Sequence, residues 1–293
     1  MIRGGLRSLA AACCCVAVVG TAGTLLLGAG TSQAATAQAA AREAAASAIC
    51  TSATRPKLAA RMSRGILAAL AGRDSVVGLT VADPRLGLTC ALHEGWHFDS
   101  ASAIKATFIS ALLYKVGGPS HLTKAQRGLA WLMITQSDND AATTLWDETG
   151  ITALQRFLDA AGLSHTILDN AAWGLSQLTA QDEMTLLGVL VNAGNVLSSA
   201  SRGYVLWLMS KVIPSQRWGV PAGAPADVTV SVKNGWLPYP VSDDWHVNSI
   251  GAFRGHDISY RIVVLTSGNA TMAYGVDTIQ AAATVINTDI ARA

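Results

Sequence analysis

Two serines, two lysines and a glycine stand in three short runs whose residue types and spacing could support covalent chemistry. The first is Ser102-Ala103-Ile104-Lys105. Residues three apart share one face of a helix, so the Lys105 amine can reach the Ser102 hydroxyl. A serine is a weak nucleophile until a base takes its proton, and a lysine serves only when burial or a second cation lowers its pKa. Backbone N–H groups at a helix start can hold a developing oxyanion. Alone the run is weak evidence, because any surface helix can carry Ser and Lys at this spacing. The second run, Ser137-Asp138-Asn139, lies between two helical patterns. A short loop there aims a hydroxyl and an amide at a cleft, or simply caps the helix that starts near Asp140. The third, Lys233-Asn234-Gly235, ends a β-branched strand. Lys233 offers a fixed cation to a carboxylate, and Gly235 lets a substrate approach the strand edge. The plain alternative is a strand boundary with an exposed lysine and a turn glycine.

These runs need elements to position them. Arg61–Ala71 reads as an amphipathic helix closed by Gly72, and 76–81 and 86–92 as a hairpin around Asp83-Pro84-Arg85. Helical periodicity then covers 102–116, 123–135, 140–148, 151–161, 180–192 and 200–212, with a Thr179/Asp182 capping arrangement. Strands return at 228–233, 247–254 and 259–267, and a helix over 278–291 closes the chain. Strands from both ends of the chain would form one sheet around an inserted helical lobe, with a cleft between them. No repeat of 20–50 residues is visible.

The 293 residues are 51% hydrophobic and carry a formal charge of +2, which excludes disorder and gives no field for a polyanion. Residues 1–34 read as a signal peptide: Arg3 and Arg7, an apolar run from Leu9 to Gly30, then Ser32-Gln33-Ala34. The alternative is an uncleaved membrane anchor. Cleavage removes two cations and no acid, leaving the formal charge at zero. It also removes Cys13, Cys14 and Cys15, so that Cys50 and Cys90 remain in an oxidising compartment, as a disulfide or as two buried thiols. Cys90, His93 and His97 lack a fourth ligand, so no metal site is expected, and no cofactor. Residues 35–55 read as an Ala-rich lead-in.

Taken together and in this order, the three runs resemble those of the active-site-serine penicillin-recognising enzymes, class A β-lactamases and penicillin-binding D,D-peptidases. Thr135–Ala142 and Gly219-Val220-Pro221-Ala222-Gly223 are similar to the family as well. The resemblance covers about residues 56–291. It implies an α+β, β-lactamase/transpeptidase-like fold: an antiparallel sheet flanked by helices, with a sheet lobe of 56–101 and 226–291 and an inserted all-helical lobe of 102–225. Ser102 would be the nucleophile and Lys105 its base. Ser137 would relay a proton to the leaving nitrogen, and Lys233 would attract the substrate carboxylate and help keep Lys105 neutral. Asn139, Asn234, Gly235 and Trp236 would bind substrate, the N–H groups of Ser102 and Trp236 forming an oxyanion hole typically worth ~3 kcal/mol per donor.

Three departures stand out. Asn234 replaces the family's Thr or Ser and can donate only through its amide. Ser102 and Ser137 are 35 positions apart, a short interval that leaves a more open cleft. The loop 168–178 contains no glutamate, the residue that in class A enzymes activates the hydrolytic water. Asp169 is the only carboxylate there. It is a possible deacylation base, but a loop-stabilising acceptor of backbone N–H groups is the preferred reading. His165 is a weaker candidate, and Glu183 is expected to face solvent. Trp96 and Trp236 are expected at the cleft, Trp131, Trp146 and Trp207 in the core, and Arg217 in solvent or near a carboxylate.

The expectation is a secreted, monomeric serine hydrolase. It would act on a small β-lactam or D-Ala-type peptide, with no nucleic acid and no membrane insertion after cleavage, and with slow deacylation. The alternatives are a D,D-peptidase, esterase or acyltransferase on the same scaffold, or a non-hydrolysing penicillin-binding or sensing module.

Overall fold

The computed structural model describes residues 48–239 and 244–293. The signal-peptide reading of 1–34 falls outside them. Eight strands form a six-stranded sheet, order β1-β3-β2-β8-β7-β6, and a two-stranded ribbon β4-β5. The strands are β1 Cys50–Ser52, β2 Val76–Asp83, β3 Leu88–Leu92, β4 Phe98–Asp99, β5 Gln177–Leu178, β6 Thr229–Tyr239, β7 Asp244–Gly255 and β8 Ile258–Asn269. All pairings are antiparallel. The helices are α1 Pro56–Leu70, α2 Lys105–Val116, α3 Lys124–Thr135, α4 Asn139–Thr149, α5 Ile151–Ala161, α6 Ala180–Val191, α7 Ser199–Ser210 and α8 Met272–Ala291. Among the described residues, no helix is long and apolar enough to cross a membrane.

The sheet is covered on both faces, which is why β8 reads as the continuous apolar run Ile262-Val263-Val264-Leu265. Successive side chains point to opposite faces. Val263 and Leu265 join the core shared with α2–α7, while Ile262 and Val264 join Met62, Ile66, Ile279 and Ile286 of the terminal helices.

The Ala-rich lead-in reading stops short at its C-terminal end. Cys50–Ser52 is a strand whose Cys50 sits opposite Cys90 and is disulfide-bonded to it. Three residues are too few for an alternation to show. The strand is fixed from outside itself, by the disulfide and by Ser52 and Thr54 hydroxyls donating to the Leu86 carbonyl at 2.7 and 2.9 Å. Helix α1 begins five residues earlier than its periodicity suggests, with Pro56 in the first turn, where its missing N–H costs nothing. Trp131 and Trp207 are not core: they are 38% and 45% exposed and lie 5.4 Å apart on the surface. Trp146 is buried as expected.

Candidate active site

Ser102 sits in a 3-10 turn, Ala101–Ile104, that runs directly into α2. The turn is pinned from two sides. Ser100 donates its N–H to the Ser176 carbonyl at 2.8 Å, and Asn248 Nδ2 on β7 donates to the carbonyls of Asp99 and Ser100 at 2.8 and 3.2 Å. Ala101 is held at φ +43°, a left-handed conformation that costs an L-residue roughly 1–2 kcal/mol. Ser102 itself is half-buried, and its hydroxyl makes no hydrogen bond among the described residues.

Gly235 on β6 packs against this turn. A Cβ there would lie 2.5 Å from Ala103 N, 2.7 Å from Ser102 N and 2.8 Å from Ser100 O. The glycine therefore admits the serine turn of the same chain, a different reason from the substrate approach expected of it. The contact brings the neighbouring Trp236 alongside Ser102.

The two lysines meet at Ser137. Lys105 is fully buried, and its Nζ donates to Ser137 O at 2.7 Å, Ser137 Oγ at 3.3 Å, Asp138 O at 3.3 Å and Asn139 Oδ1 at 2.7 Å. Its donors thus point along the 137–139 loop and not at Ser102, the partner that helical spacing suggests. Lys233 Nζ donates to Ser137 Oγ at 3.1 Å and Asn234 O at 2.7 Å. Ser137 holds its hydroxyl between the amines from a strained φ of +58°. Burial lowers the Lys105 pKa to about 7, opposed in part by Asp138. Burial, then the Lys105 charge, pushes Lys233 well below its ordinary value. Two amines sharing one hydroxyl in a dry site disfavour each other's charged form, which is the condition for either to accept a proton.

The loop between α5 and α6 closes over this group. Asp169 Oδ1 accepts the N–H groups of Ala171 and Ala172, both at 2.8 Å, and the Asp169 N–H donates to Ser176 Oγ at 3.0 Å. That is the geometry of a turn-holding carboxylate. Loop residue Trp173, which the sequence did not single out, lies with its ring 4.9 Å from Lys105 Nζ, and its Nε1 donates to Thr143 Oγ1 at 3.1 Å. No periodicity marks a tryptophan in such a loop. His165 is tied to Asp182, by its N–H at 2.8 Å and by Nδ1 at 3.2 Å.

Four expectations are corrected. Glu183 does not face solvent. It is 1% exposed on the inner face of α6 with Leu186 and Leu187, and burial, reinforced by Asp182, raises its carboxyl to about 8. The Asn234 amide is not offered to substrate: Nδ2 donates to the carbonyls of Gln216 and Trp218 at 2.8 and 3.0 Å. Arg217 is only partly exposed and is not turned to a carboxylate: two of its N–H groups donate to Ser210 O at 3.1 Å and Val230 O at 3.2 Å. Trp236 lies 5.9 Å from Trp218, whereas Trp96 stacks on His93 beside α1 and takes no part in the site.

Next to the lysines runs a groove of about 640 Å³, lined by Thr143, the loop 171–175 and Leu237-Pro238-Tyr239 of β6. Its wall is largely apolar.

A buried lysine lies next to a helix-start serine and is bridged through a second serine to a strand lysine, and the fold around them is that of the β-lactamase class. Residues 114–290 match the Beta-lactamase enzyme family, and the chain belongs to that family. The match begins after Ser102 and Lys105 and includes Ser137, Lys233 and Gly235. Among solved structures, a class A β-lactamase from Bacteroides cellulosilyticus aligns with TM-score 0.69 at 16% identity, covering 80% of this chain and 98% of that one. A β-lactamase from Streptosporangium roseum gives 0.67 at 18%, covering 80% and 100%. PBP-A gives 0.66 at 20%, covering 79% and 96%. These likenesses establish the fold. No curated protein matches the sequence.

Proposed function

We propose that the chain is an exported serine acyl-hydrolase that forms an acyl-enzyme on Ser102 with β-lactams and releases it slowly. The observation that carries this reading is the convergence of Lys105 Nζ and Lys233 Nζ on Ser137 Oγ, at 3.3 and 3.1 Å, next to the Ser102 turn. Lys105, with its pKa near neutrality, takes the Ser102 proton as Oγ adds to the carbonyl carbon. The proton passes through Ser137 Oγ to the leaving nitrogen. The N–H groups of Ser102 and Trp236 hold the oxyanion.

Release is slow because the loop supplies no free base. It has no glutamate, Asp169 Oδ1 is occupied by two N–H groups, and the Trp173 indole covers Lys105. A missing general base lowers turnover by about 10²–10⁴-fold. The same loop favours, as a second reading, a D,D-peptidase or penicillin-trapping role. Export is part of the proposal, supported by the pattern of residues 1–34 and by the Cys50–Cys90 disulfide.

Purified protein incubated with a fluorescent penicillin should carry one label, absent from Ser102→Ala, and should bleach a chromogenic cephalosporin only slowly. Rapid continuous turnover overturns the slow-release claim. Equal labelling of Ser102→Ala removes Ser102 as the nucleophile.

A further inference from the structure

The two flanks of the Ser102 group differ in what they offer a ligand. On the acyl side lies the apolar groove of Trp173, Leu175, Leu237, Pro238 and Tyr239. On the side of Lys233 and Gln216 the side-chain amide donors are already used. Asn234 Nδ2 is spent on the Gln216 and Trp218 carbonyls, and two of the Arg217 N–H groups are turned away to Ser210 and Val230. Gln216 Nε2 donates to the Gln136 carbonyl at 2.9 Å, next to Ser137. What remains on Asn234 and Gln216 is Oδ1 and Oε1, both buried and, among the described residues, without a partner. These are acceptors. They repel a carboxylate and would be satisfied by an N–H or O–H of a ligand. Lys233 is the one amine on this side among the described residues, and its burial beside Lys105 disfavours its charged form. His246 on β7 supplies no substitute, since it faces Asp99 at 3.9 Å and burial lowers its pKa.

We infer that Ser102 is built to be acylated by neutral donors: esters or amides with an apolar acyl group, and with a hydrogen-bond donor in place of a carboxylate on the Lys233 side. The inference rests on the reading of Ser102 as nucleophile and names its substrate class. For an ester, the Ser102 Oγ–C bond forms as the C–O bond to the leaving alcohol breaks. The serine proton moves through Lys105 and Ser137 to that alcohol, and water later releases the acid and restores the hydroxyl. Loss of the carboxylate requirement follows from the chemistry of Asn234, and the apolar preference from the groove. The two can therefore be tested separately.

The test compares benzylpenicillin with its primary amide, whose N–H groups stand where the carboxylate was, and p-nitrophenyl hexanoate with p-nitrophenyl acetate, following the adduct on Ser102 by intact mass and nitrophenol release by absorbance. The amide should acylate at least as fast as the free acid, and the hexanoate should exceed the acetate by about tenfold in kcat/KM. A free acid faster by more than roughly threefold, or an acetate equal to the hexanoate, overturns the inference and leaves the acyl-enzyme reading standing. No adduct from any of the four probes removes Ser102 as nucleophile, and the inference with it. A folded Asn234→Thr variant, which supplies a hydroxyl donor, should shift the ratio toward the free acid by about tenfold. An unmoved ratio overturns the role given to Asn234.

Discussion

The serine–lysine group and the loop 164–178 that covers it are built on opposite principles. In the first, ionisable side chains are buried at a cost. Lys105 and Lys233 are almost without exposure, their pKa values are depressed, and Ala101 and Ser137 hold left-handed backbone. In the second, the one central carboxylate, Asp169, is spent on backbone N–H groups, and the residue turned toward the lysines is an indole. In the function proposed above, the strained, desolvated region forms the covalent bond. The relaxed loop is shaped to exclude water from it. Burial thus sharpens the amines for acylation while the same enclosure withholds a second base.

Four substitutions put that contrast at risk, and their effects should diminish in sequence. Lys105→Arg keeps the charge and cannot lose its proton, so the acylation rate should fall by about 10²–10⁴-fold, measured by stopped-flow labelling. In the unaltered protein that rate should rise as pH passes about 7 and then level off. Stability follows the same sign. The folded Lys105 pKa lies below the unfolded one, so the unfolded chain binds more protons between them; stability rises with pH from about 7 toward 10.5 and is lost as pH falls.

Gly235→Ala forces a Cβ to within 2.5 Å of Ala103 N, and the displaced serine turn should cost about 10²-fold in acylation. Circular dichroism separates misplacement from unfolding. Trp173→Ala admits water to Lys105, and the midpoint of the acylation pH profile should move upward by about one unit as desolvation relaxes. A fixed midpoint would mean that the indole does not dry the site. The least change belongs to Asp169→Asn. The amide oxygen still accepts the two N–H groups, so stability should change by no more than about 1 kcal/mol and deacylation should be unchanged. A deacylation rate reduced tenfold or more would make Asp169 the base after all.

How much of this was legible in the chain depended on range. The helices at 105–161 and the strands β2, β3 and β8 follow from apolar periodicity, a local property. Thr179 caps its helix through Asp182, three positions away, and that cap forms. Ser102, Lys105, Ser137 and Lys233 were visible as candidates because reactive side-chain types at fixed spacing are themselves a local pattern. Strand β1, the burial of Glu183 and the direction of the Asn234 amide were not visible, because each depends on residues far away in sequence.

Side-chain type and local spacing were thus enough to say which residues could react and in what order the elements carry them. It took the folded chain to decide that Lys105 donates to Ser137 and Asn139, that Gly235 makes room for the serine turn, and that Trp173 stands over the amine. Hydrogen-bond direction, desolvation and steric clearance are set by groups roughly 30 to 130 positions apart, and folding alone brings those groups to within a few ångströms.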